Sequence, residues 1–487
     1  MTNDGPARRS SAAHWLAVAV ALVCVSLVVA AAPLGVAAAV VAAAAATVLV
    51  VRFGPLEGLW YLALASVPLR HALAIDVRGT VSLFPTDLLF FGLLALAASR
   101  GRLRGLVRES LVMKLGLALV LLSLPGLFTA SRVFWGVAAV YRLALQLSAF
   151  ALAYAVVRDG KAATRTLWAL LVGILPAAVY GVYQSTLPVD SAALPDWASH
   201  LIAYGATGTP NLRAFSTFDH TLRFSHYLTV SFGVALGLLL GSLSRARKAL
   251  AGLTAAVVAY ANLFTYSIAG LLGTVAAMGS AIFLVRRKRA LLWLLPVLVG
   301  ALLLASPAAL LNKADKVLRG DATTTVARVV TYKQAFNILR DHPLQGVGWG
   351  GIRSSLEHEY RLTRAQAVAF GAENYFLQRA MALGIPGLVL SLWLACLYFR
   401  NTGRSARAPS DWPRAALAVS GVAYFVQAQT FPAAAPASGV LLWTLLALTE
   451  RMRAAAAAEE GRALAADGSS TGHVEIGAAS GPGEGRP

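Results

Sequence analysis

Residues 223–248 read RFSHYLTVSFGVALGLLLGSLSRARK. Between Arg223 and Arg245 no Asp, Glu, Lys or Arg interrupts the run. At about 1.5 Å rise per residue, an unbroken apolar helix of this length matches the roughly 30 Å hydrocarbon core of a bilayer. The run then ends in Arg245, Arg247 and Lys248, a basic cluster in a short connector. An apolar span closed by cations is the pattern that membrane insertion leaves on a cytoplasmic connector.

The same alternation extends along the chain. The 487 residues are 58% hydrophobic and only 13% charged, with mean hydropathy +0.66. A soluble domain carries about twice that charge. Apolar runs long enough to cross a bilayer leave no place for an open, lipid-facing sheet edge, so the expected class is an all-α polytopic membrane protein. About 14 spans are predicted by a hydropathy window. They lie near 14–31, 35–52, 57–75, 84–99, 111–129, 139–157, 164–184, 223–242, 249–265, 267–285, 290–310, 375–399, 413–431 and 435–450. The N-terminal run, between Arg8–Arg9 and AAAP at 30–33, resembles a signal peptide but is followed at once by another span, so an uncleaved first helix is expected.

Net charge is +20. In a soluble protein this would point to nucleic acid, but here the cations sit in alternate short connectors. These hold Arg52, the 100–108 arginines, Arg158 to Arg165, the 245–248 and 286–289 clusters, Arg400 to Arg407, and Arg451 with Arg453. An even number of spans puts all of them, and both termini, on the cytoplasmic face. No nucleic-acid partner is expected. Cys24 and Cys396 are the only cysteines and imply neither a disulfide framework nor a thiolate metal site.

Two long connectors, 185–222 and 311–374, then fall on the outer face. The second has a helical pattern from Val326 to Leu339, followed by HPLQGVGWGG at 342–351, which is turn chemistry. It also carries an excess of Lys and Arg, which long loops are allowed by the topological rule but which asks for a purpose. Residues 1–453 read as one membrane domain, and 454–487, rich in Ala, Gly and Ser, as a disordered cytoplasmic tail.

The outer connectors concentrate the residues able to do chemistry. NLRAFSTFDHTLRFSHYL (211–228) brings Arg213 and Arg223 to the mouth of a span. ARVVTYKQAFNILRDHPLQGVGWG (327–350) brings Arg328, Arg340 and His342, and AENYFLQRAMALGIPG (372–387) brings Glu373, Asn374 and Arg379. Guanidinium groups bind phosphate oxygens through paired N–H donors, and a carboxylate can take a proton from an attacking hydroxyl. Each residue has a plainer reading: interfacial anchors for Arg213 and Arg223, a solvated helix face for Arg328 and Arg340, helix capping for Glu373 and Asn374, and snorkelling for Arg379. Arg379 lies about one turn inside a span, where a cation needs a partner or a watery cavity. The histidines expected on the outer face, His200, His220, His226, His342 and His358, have no metal-site spacing.

These segments resemble the O-antigen ligase and polymerase superfamily of bacterial membrane glycosyltransferases. The resemblance rests on RVVTYKQAFNILRDHPLQGVGWGG followed by ENYFLQRAMALGIPG, on RAFSTFDHTLRFSHYL, and on one large outer loop at about three quarters of the chain. It implies a C-type glycosyltransferase architecture in the plasma membrane. It also implies an undecaprenyl-diphosphate-linked glycan as donor and a glycan or lipid-linked hydroxyl as acceptor. Arg213, Arg328 and Glu373 become the expected catalytic residues. Asn374, Arg223, Arg340, His342 and Arg379 become substrate-binding residues. No metal or cofactor is required, and polysaccharide-assembly proteins are natural partners. Two departures stand out. Glu373 occupies the place where ligases carry histidine, and Ile268 in TYSIAGLL (265–272) replaces an arginine of the family's SRG element. The first favours a polymerase-type member. A flippase for lipid-linked glycans and a non-catalytic assembly protein remain as alternatives, although a transporter predicts internal repeats and charge near mid-membrane, which this sequence does not display.

Overall fold

A computed structural model describes residues 34–69, 75–77, 81–83, 85–129, 133–187, 202–204, 210–218, 220–241, 243–284, 294–319, 323–361, 374–403, 412–429 and 436–470. The helices are α1 (Leu34–Phe53), α2 (Pro55–Ser66), α3 (Pro85–Ser99), α4 (Leu111–Ser123), α5 (Val133–Val156), α6 (Gly160–Ser185), α7 (Thr221–Leu239) and α8 (Arg245–Leu263). They continue as α9 (Ile268–Leu284), α10 (Leu294–Leu304), α11 (Ala308–Leu318), α12 (Thr323–Asp341), α13 (Ile352–His358), α14 (Tyr375–Gly403), α15 (Trp412–Ala428) and α16 (Pro436–Ser470). Every expected span except the first contains a helix, and the first, 14–31, lies outside the described residues. Among the described residues, five helical stretches are both long and apolar enough to cross a membrane: Leu111–Phe128, Val133–Val156, Gly160–Ser185, Thr221–Leu239 and Tyr375–Thr402.

Two antiparallel hairpins modify the all-α expectation. β1 (Ile75–Val77) pairs with β2 (Val81–Leu83), and β3 (Ile202–Tyr204) pairs with β4 (Pro210–Leu212). Each strand is three residues long, too short for periodicity to reveal it in sequence. A second correction concerns the C-terminal segment. Helix α16 runs on to Ser470, through the stretch from 454 expected to be disordered, and residues 471–487 lie outside the described set. The stretch RAAAAAEEGRALAA contains many alanines, the residue with the strongest helix propensity, so an established helix propagates through it.

The bundle is held by close approach and by buried polar contacts. Gly233 and Gly237, four residues apart on α7, face α15. A methyl on Gly237 would meet the Ala416 Cα at 2.1 Å, and one on Gly233 the Ser420 Cα at 2.8 Å. This spacing lets two membrane helices touch backbone to backbone. Beside that seam, Asn262 of α8 donates from Nδ2 to Thr229 Oγ1 and Thr274 Oγ1, both at 3.1 Å, and accepts from Ser225 Oγ at 2.7 Å. Gln427 of α15 donates to the same Ser225 Oγ at 3.1 Å. Four helices, α7, α8, α9 and α15, are thereby tied by one buried network, where hydrogen-bonded polar groups specify helix register. Trp443 of α16 donates to Gln146 Oε1 of α5 at 3.1 Å and fixes the other side of the core.

The helices alternate direction between two chemically different ends. At the basic end, Arg451 donates to the Val157 carbonyl, Arg453 to Asn401 Oδ1, Arg414 to the Met452 carbonyl, and Ser110 to Glu450. At the opposite end lie the hairpins, the 213–220 loop, the 264–267 turn, and the 342–351 turn after α12. Among the described residues, the cation-rich connectors named above gather at one end, and Arg213, Arg340, His342, Asn374 and Arg379 lie toward the other.

Candidate active site

The site is organised around a break in α14. Gly384 has φ 67° inside this helix, a conformation that glycine adopts at little cost. Pro386 supplies no N–H, so the Ala382 carbonyl loses its ordinary i+4 donor. The HPLQGVGWGG turn supplies the replacements. Gly348 N donates to Ala382 O at 3.1 Å, Val347 N donates to Met381 O at 2.9 Å, and Ile385 N donates to Pro343 O at 2.7 Å. Helix and turn exchange hydrogen bonds as two strands would. The approach is close enough that a methyl on Gly384 would sit 2.4 Å from Pro343 O, and one on Gly346, itself at φ 62°, 2.3 Å from Met381 O. The two glycine-rich motifs recognised separately in the sequence are thus one structural unit.

Asn374 starts α14. Its Oδ1 accepts from Phe376 N at 2.9 Å and Leu377 N at 3.1 Å, a helix cap, while Nδ2 donates to the Gln429 carbonyl at 3.0 Å. Tyr332 of α12 donates to that same carbonyl at 3.0 Å. Three segments therefore meet at Gln429: the start of α14, the middle of α12 and the end of α15. Arg328 lies four residues before Tyr332, one turn away along α12. Its side chain is not among the described ones, and Glu373, which precedes Asn374, lies outside the described residues.

Arg379 is 1% exposed. Its guanidinium lies over the rings of Trp349, at 5.0 Å, and Tyr375, at 5.3 Å. Trp349 is held in place by donating to Ser123 Oγ at 3.1 Å. Arg379 Nε and Nη1 have no hydrogen-bond partner among the described residues. Aromatic faces attract a cation but do not satisfy its N–H donors, so this buried charge calls for an anion.

Arg213 follows β4 directly and donates from Nε to the Thr265 carbonyl at 3.1 Å. The loop that carries it is pinned to the bundle: Ala214 N donates to Phe264 O, Phe215 N and Ser216 N both donate to Gln184 Oε1, and Ser216 Oγ donates to Ala177 O. Lys313 of α11, absent from the sequence-predicted site, donates to the neighbouring Tyr266 carbonyl at 2.9 Å. Two cations thus converge on the 264–266 turn, immediately before Ile268. Arg223 lies in the first turn of α7, part-buried, after the His220 cap.

Arg340 and His342 are arranged differently. Arg340 donates to Asp341 Oδ1 at 2.9 Å, Tyr360 donates to Asp341 Oδ2 at 2.8 Å, and His342 Nε2 lies 3.4 Å from Glu359 Oε2. Arg340 and Tyr360 hold the Asp341 carboxyl below its usual range by hydrogen bonding. These contacts staple the end of α12 to the end of α13. The structure thus engages Arg340 and His342 within the loop itself.

The fold and site define a polytopic helical membrane protein whose 342–351 turn is keyed into a broken apolar helix. Residues 253–392 match the family model described as O-Antigen ligase, so this segment is similar to the O-antigen ligase-like superfamily. The match includes the Ile268 turn, Lys313, Arg328, Glu373, Arg379 and the Gly384 break, while Arg213 and Arg223 precede it. Members of that family are membrane glycosyltransferase-like ligases or polymerases. No curated protein matches the chain.

Proposed function

We propose that this protein moves a glycan from an undecaprenyl diphosphate carrier to a hydroxyl acceptor at the outer face of the plasma membrane, and that it is of the polymerase type. The observation that carries this reading is Arg379, a buried guanidinium without an anionic partner among the described residues, set within the segment that matches the O-antigen ligase family. A diphosphate entering from the membrane supplies that anion. The basic end is assigned to the cytoplasm by the positive-inside rule, which puts the loop end outside and both termini inside. The full architecture is then about 14 spans of the C-type glycosyltransferase kind, a count taken from the hydropathy reading. The membrane domain ends near residue 453.

In the reaction, the acceptor oxygen attacks the anomeric carbon of the donor sugar. The bond from that carbon to the diphosphate oxygen breaks, and the acceptor proton passes to the Glu373 carboxylate. Undecaprenyl diphosphate leaves with its charge held by Arg213 and Arg328, and Arg379 reaches it from the α14 side. Preplaced cations stabilise developing negative charge without having to reorganise. Lys313, which meets the same 264–266 turn as Arg213, makes good the cation lost at Ile268. Asn374 acts by positioning, since its amide is engaged in fixing the start of α14 beside Glu373. The polymerase preference comes from Glu373, a carboxylate base where ligases carry histidine. Replacing Arg213, Arg328 and Glu373 singly by Ala, with purified lipid-linked repeat units as substrate, tests the reading. Wild-type activity in Glu373→Ala removes the base assignment.

A further inference from the structure

A cavity of about 1300 Å³ lies at the basic end, between α1, α2, α6, α8, α15 and α16, away from the loop site. Its polar rim carries Lys161, Arg165, Arg247 and the buried Arg414. Arg414 is committed to the fold by donating to the Met452 carbonyl at 2.6 Å. Arg165 lies over the Phe53 ring at 5.1 Å, and Arg52 over the same ring at 5.5 Å, so two like charges share one aromatic ring. Among the described residues no ion pair engages Lys161, Arg165 or Arg247. Two acids, Asp159, which caps α6 by accepting from Ala162 N at 2.7 Å, and Glu459, face four cations at the rim, so the rim is net positive.

The rest of the wall is apolar. Val172, 59% exposed, and Leu250, 44% exposed, face outward from α6 and α8. On membrane helices such residues meet lipid chains. Trp168 and Trp412 also line the cavity, and tryptophan favours the headgroup level of a bilayer. Cations at the interface above apolar walls open to the hydrocarbon match an amphiphile with an anionic head. Basic pockets between helices at the cytoplasmic side commonly hold such headgroups.

We propose that this cavity binds one anionic phospholipid of the leaflet at the basic end. Its phosphate lies among Lys161, Arg165 and Arg247, and its chains run along Val172 and Leu250. The site does not depend on the glycan-transfer reading.

The test uses full-length protein, purified and delipidated in detergent, with bound lipid counted by native mass spectrometry. Phosphatidylglycerol, phosphatidylcholine and inorganic phosphate are titrated separately. Saturable retention of one phosphatidylglycerol is expected, without retention of phosphatidylcholine and without displacement by phosphate. The double variant Lys161→Ala/Arg247→Ala binds about 30-fold more weakly, from about fivefold per cation removed. Lys161→Arg/Arg247→Lys keeps the affinity. Val172→Trp, which fills the apolar side and leaves the charge untouched, lowers occupancy. Equal retention of phosphatidylcholine, competition by phosphate, no retention at all, or unchanged affinity in both the double-alanine and Val172→Trp variants overturns the proposal.

Discussion

Gly384→Ala tests whether the loop is truly keyed into the membrane helix. At φ 67° an alanine suffers left-handed strain of about 1–2 kcal/mol. Its methyl would also lie 2.4 Å from Pro343 O and 2.7 Å from the Leu344 carbonyl carbon, and both are backbone atoms that cannot rotate away. Relief requires the 343–348 turn to withdraw, and with it go the bonds Ile385 N to Pro343 O, Val347 N to Met381 O and Gly348 N to Ala382 O. At about 1 kcal/mol net each, the total loss is about 4–5 kcal/mol. Gly300→Ala is the control, because a methyl there meets nothing within 4 Å and the site is helical. Alanine in a helix is favoured over glycine by about 1 kcal/mol, so the control is neutral or slightly stabilised. Denaturant titration of the purified proteins in detergent, monitored by tryptophan fluorescence, reads the difference, since Trp349 sits on the turn. A Gly384→Ala protein as stable as Gly300→Ala would refute the keyed-turn account.

Further expectations follow from individual contacts. Asn374→Ala loses both the α14 cap and the tether to Gln429 and destabilises by about 2 kcal/mol in the same titration, whereas Asn374→Asp restores the cap alone and recovers about half. Arg379→Leu removes a buried, unpaired charge, so the unfolding midpoint holds or rises while glycan transfer falls about 100-fold; a midpoint that falls together with activity would mark Arg379 as structural. The Asp341 carboxyl is held low by Arg340 and then Tyr360, so its contribution is fully present above the ordinary Asp value near 3.9 and is lost as pH falls through the lower folded value. Pepsin cleavage between 342 and 361 should accordingly accelerate below about pH 4 in the wild type, and Asp341→Asn should cleave faster even at the top of the range, with little further pH dependence.

Sequence revealed the elements better than their connections. Apolar runs located the helices because burial in lipid is a one-dimensional property of about 20 consecutive residues. Helix α12 and the turn at 342–351 were equally legible, from periodicity and from glycine and proline placement. The docking of that turn on Gly384 was hidden, because it is an exchange of backbone bonds between segments some 40 residues apart in sequence. Side chains divided the same way. Asn374 caps and tethers α14, Arg340 and His342 are engaged by Asp341 and Glu359, and Lys313 is one of many loop cations. Only contact with the Tyr266 carbonyl singles Lys313 out, and no local pattern encodes a contact between residues 266 and 313. The alanines after 453 favour helix, and α16 continues through them.

The central claim is transfer of a glycan at the loop end. Proteoliposomes holding the purified protein and an undecaprenyl-diphosphate-linked repeat unit test it directly, with the length of carrier-linked glycan followed by mass spectrometry. The account predicts chains longer than one repeat with wild-type protein, and chains of a single repeat with Arg213→Ala, Arg328→Ala and Glu373→Ala. Carrier-linked glycan that crosses the bilayer but never lengthens would contradict it and point to a flippase.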